Sequence, residues 1–315
     1  MTRYRVHART RAHRMMGFTL LEWVLAMPLG LLIVMAAIAI YLAGLRLWRA
    51  QAERYDVNER AMFALTQLSR AVAMAGYRNW DPMEGRITAP DKAVRRWPPL
   101  RASAECAASV ETCARRGWQG SDLMEVQFHG AGYPIGGNGA VQNCSGLSVK
   151  ALGSPDDRHL SIFYVAKGED GVPSLFCRYG DYVGPSYLRQ AQVLVTGVEA
   201  MYLRLGFRVG GNGPLRWSAP LKRLRGTPPR PPAGEGGWDN VAAVAISLVM
   251  RGAPRRGAKP TTSRVVEVFD KATGGREYKR LMNAGDVHLH VFTLLAYRRN
   301  DGGIGEEAKW LASSW

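Results

Sequence analysis

Catalytic signatures are missing from this chain of 315 residues. It contains no GxSxG elbow, HExxH helix, P-loop or dinucleotide-binding GxGxxG, which removes the usual marks of hydrolase, zinc-protease and nucleotide chemistry. Histidine is scarce, at six residues. The one close pair, His288 and His290, has strand spacing and no evident third ligand, so it reads as sheet surface rather than a metal site. The glycine loop at Gly136–Gly139 lacks the lysine and hydroxyl residue that a phosphate would need. Asp156, Asp157 and Asp239 do not follow the twelve-residue spacing of a calcium loop. No cofactor and no metal is expected, and a membrane-anchored periplasmic enzyme is the weakest of the readings kept below.

Acidic residues are also in deficit, 26 against 42 basic ones, for a formal net charge of +16. Two local absences matter more than the total. Residues 1–17 carry Arg3, Arg5, Arg9, Arg11 and Arg14 and no acid. From Phe18 to Leu45 there are 28 residues with a single charge, Glu22. As a helix that run is about 42 Å long at 1.5 Å per residue, ample for a hydrocarbon core of roughly 30 Å. The basic head holds the N-terminal side in the cytoplasm, which sends the body across the membrane. A removed secretory signal fits poorly, because its apolar core is only about 7–15 residues and a small-x-small site should follow it. No such site follows the run before Arg46.

A lone carboxylate in an apolar segment is costly and invites a functional account. Cleavage between Gly17 and Phe18 would supply one. It would create an α-amino group at Phe18 and place Glu22 at the fifth position of the mature chain, about one helical turn away. In a packed bundle, Glu22 of one subunit then neutralises the terminus of its neighbour, although desolvation takes back much of the attraction.

The stretch GFTLLE at Gly17–Glu22, with its basic leader and its full-length apolar helix, resembles the processing motif of type IV prepilins. The resemblance implies that a prepilin peptidase cuts after Gly17, that Phe18 becomes the methylated N-terminus, and that Glu22 is the assembly carboxylate. Further along, ERAMFALTQLSRAVAMAGYRNW (Glu59–Trp80) is similar to the PilW type of minor pilin, an alanine-rich helix ending in an AGYR-like turn. SDLMEVQFHG (Ser121–Gly130), IFYVAKG (Ile162–Gly168), LFCRYG (Leu175–Gly180), QVLVTGVEAMYLRLG (Gln192–Gly206), NVAAVAISLVMRG (Asn240–Gly252) and VFTLLAYRRN (Val291–Asn300) resemble its strand segments in order. The likeness spans roughly residues 15–300. Trp23 stands where a smaller aliphatic is usual, and Pro28 enters the membrane helix early. The GspJ-like minor pseudopilin of type II secretion shares the architecture and stays the alternative.

The residues themselves give an α+β fold. From Tyr41 to Ala75 there is no proline and one glycine, Gly44, so the helix should continue beyond the membrane to about Gly76. Met62, Leu65, Leu68 and Val72 trace its expected buried stripe. Pro28 predicts a modest bend. Asp122–Phe128, Leu160–Val165, Leu194–Leu205, Val241–Met250 and Leu289–Tyr297 are strand candidates, and the absence of regular helices between them favours antiparallel sheet. The expected organisation is a leader at 1–17, a membrane and assembly helix at 18–47, its periplasmic continuation at 48–76, and a β-rich body at 77–315.

All four cysteines, Cys106, Cys113, Cys144 and Cys177, fall in the body, as suits an oxidising compartment. Of three possible pairings, Cys106–Cys113 and Cys144–Cys177 is preferred. A four-thiolate zinc site lacks close C-x₂₋₄-C pairs. Basic residues cluster between Arg216 and Arg230 and between Arg251 and Arg264, amid proline and glycine. They read as solvated loops rather than a nucleic-acid platform, which would interleave aromatics. The resemblance implies partners: other minor pilins and major pilin, the prepilin peptidase, the inner-membrane assembly platform and a tip adhesin. It also implies a single-pass inner-membrane precursor that enters the pilus after processing.

Overall fold

The computed structural model describes residues 20–78, 80–81, 86–87, 97–108, 113, 115–132, 137, 139–151, 158–182, 187–189, 191–208, 213–222, 231, 237–254, 263–282 and 286–300. The chain divides into two units, Met1–Ala52 and Glu53–Trp315. One helix, α1, runs Leu20–Met74 with Pro28 inside it. A turn through Ala75 and Gly76 ends it. Gly76 takes φ +74°, a left-handed conformation that a side chain would strain, and a Cβ there would meet Pro99 at 3.0 Å.

In the second unit the strands are β1 (Trp80–Asp81), β2 (Arg86–Ile87), β3 (Leu100–Ser103), β4 (Leu123–Phe128), β5 (Arg158–Lys167), β6 (Pro173–Tyr182), β7 (Tyr187–Leu188), β8 (Gln192–Thr196), β9 (Val198–Arg208), β10 (Leu215–Ser218), β11 (Val241–Pro254), β12 (Ser263–Phe269), β13 (Glu277–Met282) and β14 (Val287–Tyr297). A first antiparallel sheet has the order β3-β4-β5-β6-β7, with β8 also on β6. A second has the order β10-β9-β11-β14, and β12-β13 and β1-β2 form separate two-stranded ribbons. The α+β class read from the sequence is the observed one.

The expected single strand Leu194–Leu205 is two strands in different sheets. Gly197, at φ +76°, turns the chain between them. Its amide donates to Pro173 O and its carbonyl accepts from Arg251 N. A Cβ at Gly197 would lie 2.6 Å from Nη1 of Arg60, so α1 crosses close to this turn.

One core joins α1 to both sheets. Val57, Ala61, Ala64, Leu65, Leu68, Ala71, Val72 and Ala75 are buried among Met124, Val126 and Phe163 of the first sheet and Leu203, Leu205, Val244 and Ile246 of the second. Met62, expected in that stripe, is 52% exposed. The buried face is phased through the alanines, and Met62 lies beside it rather than on it. Small side chains let the helix backbone approach the sheets closely, which is why alanine carries half of this contact. The other face of the second sheet buries Ala200, Tyr202, Ala245 and Val249 under the β12–β13 ribbon, through Val268, Phe269 and Leu281.

Several polar residues are buried with partners. Arg101 and Glu125 pair across β3 and β4, and Gln127 Nε2 donates to Glu125 Oε1 at 2.8 Å. His159 lies between Asp181 Oδ1, 2.5 Å from Nδ1, and Lys150 O, 2.8 Å from Nε2. The contact with Asp181 is a hydrogen bond between paired positions of β5 and β6. That hydrogen bond keeps the Asp181 carboxyl below the usual carboxylate range.

Candidate functional site

The first unit presents its chemistry as a surface. From Leu20 to Gly44 every residue of α1 is exposed, with Leu20, Leu25, Leu32, Ile33 and Ile40 among the apolar ones. Straight-chain and branched aliphatics make the helix, and no other described residue of the unit covers them. The helix is long and apolar enough to cross a membrane. Glu22 stands in its first described turn. Gly17 and Phe18 lie outside the described residues. Such a surface is suited to lipid or to packing with like helices, where dispersion contacts and pairing of the occasional polar group supply the specificity.

In the body the cysteines approach in the preferred pairs. Cα atoms of Cys106 and Cys113 are 5.3 Å apart, and those of Cys144 and Cys177 are 5.9 Å apart. Both are disulfide distances. Cys144 sits in a turn whose amide donates to Ser161 Oγ of β5 at 3.1 Å, so its placement against β6 is fixed by the sheet itself. Among the described residues no three metal-ligating side chains gather.

A cleft of about 630 Å³ opens where the turn Trp118–Gly120 meets β9 and the β12–β13 ribbon. No motif announced it, because its lining comes from six separated stretches. Asp122 forms its floor and is buried. Leu203 N donates to its Oδ2 at 2.9 Å and Glu105 N to its Oδ1 at 3.3 Å. Burial nevertheless dominates and pushes the carboxyl up to about 7. Tyr202 donates its hydroxyl to Gln119 O at 2.8 Å, and burial followed by the charge of Asp122 raises its pKa. Glu277 is raised by burial but held below its ordinary value by Lys279 and Arg204. At the rim, the hydrogen bond from Lys222 and the charge of Arg116 lower Glu105.

Gln119 clasps the ribbon to the body. Its Nε2 donates to Glu199 Oε1 at 3.1 Å and to Met282 O, while its Oε1 accepts from Met282 N at 2.8 Å. The residue pays with a left-handed backbone, φ 53°, a conformation that costs a non-glycine residue about 1 kcal/mol or more. The amides, the tyrosine hydroxyl and the floor carboxylate are thus consumed in holding elements together. Among the described residues, the cleft contains no nucleophile aligned with a base, and its arrangement is that of a joint.

These strands fall within a known family pattern. Residues 162–293 match the family model described as Type IV Pilus-assembly protein W. The chain is PilW-like over that span, from within β5 to within β14, and the match supports involvement in type IV pilus assembly. No curated protein and no solved structure matches the chain. The match covers strands of both sheets and the ribbon, so the family pattern includes the wall of the cleft formed by β9 and β13.

Proposed function

We propose that this protein is a minor pilin that primes assembly of a type IV pilus, or sits near its tip, through helix packing and lateral contacts of its body. The observation that carries the reading is the single helix Leu20–Met74, whose first half is an exposed apolar span with Glu22 near its start and whose second half enters the core of a PilW-like body. The precursor is anchored once in the inner membrane with residues 1–17 cytoplasmic. Its peptidase cuts between Gly17 and Phe18, and Glu22 pairs with the new amino group of an adjacent subunit. Both cysteine pairs are oxidised in the periplasm. The contacts are with other minor pilins, major pilin, the assembly platform and a tip adhesin, and the protein has no catalytic role.

Two variants test processing apart from assembly. Gly17→Trp should leave full-length precursor in the inner membrane, since the peptidase must approach the scissile bond closely. Intact-mass measurement showing normal cleavage would remove Gly17 from that role. Glu22→Ala should be cleaved normally yet depleted from sheared pili, because the amine loses its partner with no loss of apolar surface. Incorporation of Glu22→Ala at the wild-type level would end the pairing argument.

A further inference from the structure

The joint beneath the β12–β13 ribbon uses up the polar groups of its floor and leaves its mouth charged. On the side of the turn Trp118–Gly120, Glu105 Oε2 lies 2.8 Å from both Arg116 Nη2 and Lys222 Nζ. On the ribbon side, Glu277 pairs with Arg204 at 2.9 Å and with Lys279 at 2.7 Å. Each carboxylate is bracketed by two cations, so each group of three carries a positive charge in excess. Arg280, exposed on β13, adds another. Asp122 contributes little negative charge at or below neutrality, because it keeps its proton up to about 7. Glu199, the remaining acid of the joint, is buried and paired with Arg251 at 3.4 Å. The mouth is therefore cationic. The side chains of Arg116 and Lys222 are 74% and 63% exposed, and they carry more N–H groups than one oxygen of Glu105 can take.

The wall that holds Arg116 is built in advance. Among the described residues, every non-glycine residue with a left-handed backbone falls in it: Glu105 at φ 51°, Ala108 at 75°, Cys113 at 40° and Gln119 at 53°. Such backbone persists only where its surroundings over-determine it, and it gathers at ligand clamps. Here Ala107 N donates to Arg115 O at 2.9 Å, Gly117 N to Glu105 O at 3.2 Å and Glu105 N to Asp122 Oδ1 at 3.3 Å. Arg116 stands on a fixed stretch, which spares a ligand the cost of ordering it. The aromatic rings of the cleft already have cations over them. Lys167 Nζ lies 4.3 Å from the ring centre of Trp118, Arg204 Cζ 4.8 Å from that of Phe269, and Lys279 Nζ 5.2 Å from that of Tyr202.

We propose that this mouth docks an extended acidic segment of another protein, its carboxylates spaced by apolar or neutral residues. Carboxylates match the excess guanidinium and ammonium groups. The spacing follows from the mouth itself. Glu105 and Glu277 stand beside the cations and repel a continuous row of negative charge, while Pro220 and Met282 offer the intervening residues apolar surface. A nucleic acid is disfavoured on two counts. Its backbone charge is continuous, and its bases need open aromatic faces, which Lys167, Arg204 and Lys279 occupy. A volume of about 630 Å³ admits the side chains of a short segment and no folded domain. Nothing in this docking depends on the minor-pilin reading.

The test is fluorescence anisotropy with the full chain in a neutral detergent micelle. The probe is a short fluorescein-labelled peptide in which aspartate and glutamate alternate with leucine, valine and alanine. A peptide with asparagine and glutamine in place of the acids is the comparison, and a labelled oligothymidylate of similar length is the rival ligand. The acidic peptide should bind and its amide counterpart should not. Arg116→Glu should weaken binding about tenfold, Lys222→Glu likewise, and Arg116→Lys should keep it within about twofold. Lys150→Glu makes the same change in net charge beside His159, at the opposite end of β5 from Lys167, and should weaken binding less than about twofold. If Arg116→Glu is poorly folded by circular dichroism, Lys222→Glu decides. No binding of the acidic peptide, equal binding of the amide peptide, or equal losses for Arg116→Glu and Lys150→Glu would overturn the docking site. Oligothymidylate binding that is tighter than that of the acidic peptide and is lost in Arg116→Glu would overturn the assigned partner.

Discussion

Removing α1 from the body should destroy it, and the structure says by how much. The helix contributes Val57, Ala61, Ala64, Leu65, Leu68, Ala71, Val72 and Ala75, each no more than 6% exposed. Two leucines and two valines at about 2 kcal/mol each, and four alanines at roughly 0.8 kcal/mol each, amount to roughly 10 kcal/mol of burial. That equals the whole stability of an ordinary domain. A soluble fragment of residues 48–315 should therefore unfold cooperatively in urea, and a fragment of residues 77–315 should aggregate. Within the longer fragment, Leu68→Ala should lower stability by about 2–5 kcal/mol through an unfilled cavity. Met62→Ala, at an exposed position, should change it by less than about 0.5 kcal/mol. Urea unfolding followed by tryptophan fluorescence reads all three, with an unchanged slope confirming that only stability moved. A monomeric, cooperatively folding 77–315 fragment, or equal costs for Leu68→Ala and Met62→Ala, would refute the packing.

Non-reducing peptide mapping of the body should recover Cys106 linked to Cys113 and Cys144 linked to Cys177. Loss of the second link should cost about 2–4 kcal/mol, and a Cys106–Cys144 peptide would overturn the assignment. Asp122 should make stability fall with rising pH. Its folded carboxyl keeps its proton up to about 7 against 3.8 for the ordinary group, so the folded state binds more protons in that window and loses roughly 4 kcal/mol across it. Glu105, Glu277 and Asp181, whose values are lowered, act oppositely and lose their contribution in acid. The comparison is therefore with Asp122→Asn, whose melting temperature should decline less than wild type between pH 4 and 7; equal declines would rule out the floor carboxyl. Gln119→Ala should speed amide exchange at Met282 and along β13, and unchanged protection there would show that the ribbon is held without the clasp.

The sequence was most readable where one periodicity served one purpose. Val241–Met250 and Leu289–Tyr297 are apolar runs bounded by turn residues, and both are strands. The division at Gly197 was hidden because β-rich residues continue on both sides, and only the left-handed turn separates them. The β12–β13 ribbon escaped because SRVVEVF and EYKRLM place charges on the outward positions and cover a sheet with few inward ones. Met62 was misplaced because hydrophobicity ranks it above alanine, whereas close packing onto two sheets selects small residues. The cleft had no sequence signal at all: Gln119, Asp122, Tyr202 and Glu277 acquire their roles only when the ribbon folds over β9.

The direction in which the body can be pulled follows from how α1 is seated. Its buried residues lie along the same line as any tension transmitted through the helix, and beyond them Gly76 N is bonded to Gln127 O and Ala73 O accepts from Arg299 N. Load along the helix axis is thus borne in shear, and the contacts from Val57 to Ala75 must yield together. Load normal to the sheets would peel the same contacts one turn at a time. A body built this way is strong against extraction by its own stalk and weak against prying from the side.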